Sequence, residues 1–177
     1  ITMKHAFGSR SLLLVLLASM AAACGGAQPT HPAPAGAVTG DAAFTDVAHQ
    51  FLEDLYRRNP SEATSLGIHK YDDQLESYSK QAVVDAVASL RAFRDRVSAI
   101  DAARLSASNQ LDREQLLHAI DSRLITLDVV RPWAKDPDTY SSGLTSIAYI
   151  MIKRNFAPAD ERLRRLIARE KRMPAAL

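Results

Sequence analysis

The sequence predicts an all-α protein, with long antiparallel helices in an up-down, bundle-like array. Three observations carry that expectation. After Asp41, apolar residues recur at three- and four-residue steps, the spacing that gathers side chains on one helix face. Pro60, Pro132, Pro137 and Pro158 sit at the boundaries of those segments, where the missing N–H is tolerated. No alternating apolar–polar run is long enough for a strand. The 177 residues are 47% hydrophobic and 24% charged, which suits one globular domain or part of one and excludes wholesale disorder.

The first 23 residues read as a signal peptide. Met3 is the natural start, Lys4 and Arg10 form a basic leader, and Leu12-Leu13-Leu14-Val15-Leu16-Leu17 opens an apolar core that runs to Ala23. That core is too short for the roughly 20 residues a transmembrane helix needs. Ala21-Ala22-Ala23-Cys24 resembles a bacterial lipobox, in which small residues precede a cysteine that becomes acylated. Leu is usual at the place of Ala21. The competing reading is plain Ala-x-Ala cleavage with Cys24 an incidental thiol. Cys24 is the only cysteine, and Gly25-Gly26 follow it. We therefore expect Cys24 to carry the lipid and the membrane to be a partner through that anchor. The expected location is the bacterial cell envelope. The absence of Asp after Cys24 favours the outer membrane facing the periplasm. Cleavage removes Lys4 and Arg10, so the 22 basic residues fall level with the 20 acidic ones. A balanced chain gives no reason to expect a nucleic-acid partner.

Residues 24–43 form the lipidated cysteine and a flexible tether. Positions 25–40 hold four Gly and three Pro and no large apolar side chain, so they cannot build a core. The helical domain spans 44–177. Phe44, Val47, Ala48, Phe51, Leu52, Leu55 and Tyr56 form the stripe of its first helix, with Thr45 or Asp41 available as cap. Asn59-Pro60-Ser61-Glu62 reads as a new start, with Asn59 as N-cap and Glu62 as its capping-box partner. Gly67 ends that turn and Ile68 packs back on it. Residues 68–79 cross irregularly, anchored by Tyr71, Leu75 and Tyr78.

Ser79 caps a helix to about Ala102, buried through Val83, Val87, Leu90, Val97 and Ile100. Ser106 caps the next, to about Arg131, with Leu111, Leu116, Leu117, Ile120, Leu124, Leu127 and Val130 as its stripe. Together they form a helical hairpin. Asp136 and Pro137 introduce a helix from about Ser141 to Arg154 that buries Leu144, Ile147, Ile150 and Met151. Pro158 starts the last helix, with Leu163, Leu166, Ile167 and Met173 apolar. The closing Met173-Pro174-Ala175-Ala176-Leu177 breaks off in mid-pattern, so a partial reading frame is expected.

Candidate chemistry is sparse. His49, His69 and His118 have no second His three or four residues away, the spacing that presents two imidazoles from one helix. They read as surface or boundary residues. His-Glu-x-x-His, Gly-x-Ser-x-Gly and a P-loop are absent. Glu53 and Asp54 diverge on a helix, and Asp72-Asp73 reads as a solvated turn. Residues 153–172 hold eight basic against three acidic side chains. They read as a helix face whose arginines pair with acids elsewhere; a surface for anionic lipid or an acidic partner is the alternative. Trp133 and Tyr140 read as packing anchors. No catalytic or metal residue is assigned, and binding residues are unknown.

Several landmarks occur in a characteristic order. They are Arg57-Arg58-Asn59-Pro60, Ala63-Thr64-Ser65-Leu66-Gly67, Tyr71-Asp72-Asp73-Gln74-Leu75, Leu105-Ser106 and Asn109-Gln110-Leu111-Asp112, then Arg131-Pro132-Trp133 with Asp136-Pro137 and Tyr140, and Arg154-Asn155-Phe156-Ala157-Pro158 with Arg162-Leu163. In this the chain resembles the N-terminal part of the bacterial domain-of-unknown-function family 885. Its members are often exported lipoproteins, much longer than this chain, and similar in architecture to zinc carboxypeptidases and other gluzincins. The resemblance implies a metallopeptidase-like hydrolase whose zinc motif lies beyond position 177. Zinc is then expected only in full-length relatives, with no cofactor in this chain. Peptide substrate follows by resemblance alone, and the C-terminal portion of the fold is a further expected partner. The expected function is that of an N-terminal helical portion, inactive alone. The alternative is a self-sufficient tethered helical module that binds or scaffolds.

Overall fold

The computed structural model describes residues 40–176. Cys24, the signal peptide and most of the tether lie outside the described residues. Seven α-helices and no strand occur among those described: α1 (Asp41–Arg58), α2 (Pro60–Ser65), α3 (Lys80–Ser98), α4 (Ala107–Leu124), α5 (Asp138–Lys153), α6 (Ala159–Glu170) and α7 (Met173–Ala176). The fold is all-α, as the apolar spacing requires. No helix among the described residues is long and apolar enough to cross a membrane.

Helices α1, α3 and α4 enclose the main core of Phe44, Phe51, Leu90, Val97, Leu105 and Ile120. Phe93 meets Phe51 edge-on, with ring centroids 5.5 Å apart. Each Phe or Leu so buried contributes roughly 1.5–3 kcal/mol. Cross-links between helices fix their direction. Arg91 reaches Asp128, Arg94 reaches Asp121 and Arg113 reaches the Val97 carbonyl, so α3 and α4 run antiparallel. Arg96 reaches Gln50 and Ser89 reaches Asp54, so α1 and α3 do as well. A smaller core of Ile147, Met151 and Leu166 joins α5 to α6. Arg162 closes that hairpin by donating from Nη1 to the carbonyls of Met151 (2.8 Å) and Ile152 (2.7 Å). These are carbonyls that the end of α5 would otherwise leave open.

Helix ends follow local chemistry where a short polar side chain is free to fold back. Ser79 Oγ accepts from Ala82 N and Ser106 Oγ from Asn109 N. Gly67 adopts φ +86, and the amides of Gly67 and Ile68 donate to the carbonyls of Thr64 and Ala63. That pair of bonds is a Schellman motif, closing α2 as expected.

Elsewhere the expectations need correction. Neither Asp41 nor Thr45 caps α1, whose N-cap is Gly40 without a side-chain bond. Asp41 Oδ1 instead accepts the amide of Ser106 at 2.9 Å, at the head of α4. Asn59 makes no side-chain cap for α2; its amide donates to the Leu55 carbonyl and finishes α1. Glu62 pairs with Arg123 rather than closing a capping box. Helix α5 begins at Asp138, earlier than Ser141, with Asp136 Oδ1 accepting the Asp138 amide. Past Leu124 the chain widens into a π-helical stretch, Ile125–Val130, which ends where Arg131 turns left-handed at φ 55. Leu111 and Val130 face outward, beyond the reach of the neighbouring helices. Leu163 and Ile167 are exposed as well, and Arg169 occupies the buried position beside Leu166.

Candidate functional site

The most unusual chemistry lies where α6 crosses α2 and the irregular segment 68–79. Helix α6 places Arg169 on the same face as Leu166, turned inward, with 0% of it exposed. Its Nε donates to the Asp72 carbonyl (3.1 Å), Nη2 to the Tyr71 carbonyl (3.2 Å) and to Thr64 Oγ1 (3.1 Å), and Nη1 to Ser61 Oγ (3.2 Å). The Asp72 carboxylate is also buried. It accepts from the Thr64 hydroxyl on Oδ1 (2.7 Å) and from Arg165 Nη1 on Oδ2 (3.0 Å), and it meets His69 Nδ1 at 3.0 Å. His69 stacks flat on Phe156, ring centroids 4.0 Å apart. Among the described residues no buried side-chain nitrogen or oxygen lacks a partner. Burial pulls the Arg169 guanidinium below its ordinary range, and the carboxylates of Glu76, Asp72 and Asp73 work against that pull. Burial acts on Arg165 too, but its bonds to Glu161 and Asp72 outweigh it and raise that group.

A cleft of about 650 Å³ opens beside this clasp, between α1, α3 and the segment 75–78. Leu75, Ala86 and Leu90 line it with apolar surface, and Asp54, Glu76 and Arg123 add charged groups. The volume and mixed lining suit a small molecule or a side chain. Its charges are already engaged. Burial alone would raise the Asp54 carboxyl, but Ser89, Arg58 and Arg57 bond to it and hold it below the usual carboxylate range. Arg123 faces Glu62 at 2.5 Å. The Tyr78 hydroxyl is pushed up, first by burial and then by the neighbouring Glu76. Ser89 meets Asp54, but no imidazole joins them. His49 and His118 are exposed on α1 and α4, and His69 serves Asp72.

The residues singled out in the sequence are thus scattered or recast. Asp72 is no solvated turn residue: it is 1% exposed, because Thr64, His69 and Arg165 replace its water. Asp73 stays exposed. Glu53 diverges from Asp54 and accepts from Lys70 and the Tyr71 hydroxyl instead. Of the arginines of 153–172 expected to pair with acids elsewhere, Arg165 meets Asp72, whereas Arg162 and Arg169 turn inward onto carbonyl and hydroxyl oxygens and Arg164 pairs locally with Asp160. Trp133 donates to the Leu127 carbonyl (2.7 Å) and Tyr140 to the Trp133 carbonyl (2.5 Å), and Trp133 also lines the cleft. Arg169 and Thr64 were not singled out as functional positions. The available signal was Arg169 three positions after Leu166, on the buried side of a helix. Among the described residues, no three His, Cys, Asp or Glu side chains stand close enough to share a metal ion.

These features define a helical segment held together by a buried arginine clasp, with an adjoining amphipathic cleft. The chain belongs to the family described as "Bacterial protein of unknown function (DUF885)", whose model matches residues 60–177 and so contains both Asp72 and Arg169. It is similar to a solved structure of a provisionally assigned lipoprotein of unknown function from Shewanella oneidensis, at 26% identity and a TM-score of 0.66. The match covers 75% of this chain and 24% of that one, so the chain spans about a quarter of its relative's length. No curated protein matches it.

Proposed function

We propose that this chain is the N-terminal helical portion of an exported, lipid-anchored, zinc-peptidase-like protein. In this reading residues 1–23 are the signal peptide, 24–43 the acylated Cys24 and its tether, and 44–177 the helical domain. The observation that carries it is the match to only 24% of a longer relative that is itself provisionally assigned as a lipoprotein. Acyl chains on Cys24 would anchor the protein, each buried methylene adding roughly 0.8 kcal/mol of membrane affinity. The anchor would lie in the outer membrane facing the periplasm. A zinc held by longer members, which the family resemblance implies, would supply an activated water for peptide hydrolysis. No His-Glu-x-x-His occurs in this sequence, so no residue here is assigned to hold that metal. The role of this portion is then to wall one side of the substrate channel. Arg162, Arg165 and Arg169 are engaged inward, so the alternative, a self-sufficient tethered helical module that binds or scaffolds, would have to dock through the exposed Lys153, Arg164, Lys171 and Arg172.

Two measurements test the proposal. Expression in bacteria with a radiolabelled or alkyne fatty acid should label the wild-type chain and not Cys24→Ala. The purified chain should neither retain stoichiometric zinc nor cleave peptides. Unlabelled wild-type protein refutes the anchor, and unaided zinc-dependent cleavage refutes the division of labour.

A further inference from the structure

We infer that the outward stripes of α5 and α6 are an interaction surface, and that its occupant is the polypeptide forming the remainder of the family's fold. The inference rests on reading the chain as one portion of a larger fold. It does not depend on that fold's being a peptidase.

Helix α5 buries one face and carries two large apolar side chains near its end on the other, beyond the exposed Ser141, Ser142, Thr145 and Ser146. Ile147 and Met151 are buried against α6, yet Tyr149 (63% exposed) and Ile152 (62%) lie on the opposite face. On α6, Leu163 (55%) and Ile167 (41%) share a face turned away from Arg169. A helix with one side in water carries polar residues there, as α3 does with Gln81, Asp85, Arg91 and Asp95. Exposed large apolar side chains on two packed helices mark a surface for a protein partner or for a membrane. The sixteen-residue α5 is not a membrane span. The similar Shewanella chain supplies the other option, because about three-quarters of it lies outside the matched region. Lys153, whose ammonium sits 5.8 Å from the Tyr149 ring centroid, stands at the edge of the stripe, with exposed Lys171 and Arg172 following α6. The fitting partner is therefore a helical face with an apolar stripe and carboxylates at its margin.

The test uses the whole chain as one component. The other is the Shewanella relative lacking its matched quarter, produced separately and used once circular dichroism and a cooperative melt show it folded. Sedimentation and fluorescence titration should show a saturable one-to-one complex. The paired variants Tyr149→Ser with Ile152→Ser, and Leu163→Ser with Ile167→Ser, should each weaken it about tenfold or more. Val84→Ser and Leu111→Ser, equally exposed apolar sites elsewhere, should leave it unchanged. Circular dichroism checks that each variant keeps its helices. Hydroxyl-radical footprinting of the unmutated chain, which needs no variant to fold, should show Tyr149 protected in the complex. Absence of a complex, insensitivity to both pairs, an unprotected Tyr149, or preferential pairing of two copies through these stripes would each overturn the inference. A stripe-dependent complex that neither binds zinc nor cleaves peptides would support it, while removing the peptidase reading.

Discussion

Arg169 Nε donates to the main-chain carbonyl of Asp72, across 97 residues of sequence and at 3.1 Å, while Arg165 takes the Asp72 carboxylate. One acidic residue thus serves two arginines of α6 through different atoms. Arg169 has no exposure, whereas the Arg165 side chain is 31% exposed. Removing a fully buried partner strands the others without water. Arg169→Ala should cost about 3–5 kcal/mol. Arg165→Ala should cost less, about 1–3 kcal/mol, because it takes a cation from the buried Asp72 carboxylate but leaves a gap that solvent can enter. Urea unfolding of both variants decides the matter; equal midpoints would mean that Arg169 is not the clasp.

Gly143 lies against the Tyr78 hydroxyl, and a Cβ there would stand 2.5 Å from that oxygen. Gly143→Ala should therefore destabilise the fold by about 1–3 kcal/mol. Tyr78→Phe removes the obstructing atom, so the double variant should be less damaged than the sum of its parts. Additive thermal shifts in the cycle would show that α5 yields instead.

The raised Tyr78 hydroxyl makes an alkaline prediction. Folded protein keeps this proton at a pH where the unfolded chain, with an ordinary value of 10.0, has released it. The contribution is whole below pH 10 and declines as pH rises beyond it. Wild type should lose stability above pH 10 faster than Tyr78→Phe in parallel urea titrations.

The carboxylates act in the opposite direction. Asp41 is lowered by its bonds to Asn109 and Ser106, and Glu53 by Lys70 and Tyr71. On Asp54, bonds to Ser89 and the two arginines overcome burial. Their stabilisation is present above the ordinary values of 3.8 and 4.5 and is lost as pH falls below them. Asp54→Asn should flatten the acid limb of a stability–pH curve, and an unchanged limb would remove Asp54 from the account.

The helix caps offer a local control. Ser79→Ala and Ser106→Ala should each cost about 1 kcal/mol, since each hydroxyl accepts an amide at a helix start. Thr45→Ala should stay within about 0.5 kcal/mol, since α1 has no side-chain cap. Thermal melts of the three variants rank them directly.

What was legible in the sequence was short-range. Ser79 and Ser106 cap helices three residues ahead, and Gly67 takes the left-handed turn that ends α2, because each acts on its own backbone neighbours. Periodicity also located Phe44, Phe51, Leu90, Val97 and Ile120, whose burial needs only an apolar face. It failed where the partner is distant. Asp41 looks like a cap to its own helix, but its carboxylate is satisfied 65 positions away at Ser106. Arg169 reads as solvated until α6 is laid across Tyr71 and Asp72. Leu111 and Leu163 fit their stripes, yet no neighbouring helix covers them. The candidate site shares this fault, since every contact of the clasp to α6 spans more than 90 residues.

The Gly40 amide donates to the Arg104 carbonyl at 3.3 Å, and Asp41 holds the amide of Ser106 beside it. The entering strand of chain is thereby riveted to the bend between α3 and α4. Tension arriving from the amino-terminal side would be taken up at that bend and shared among three helices.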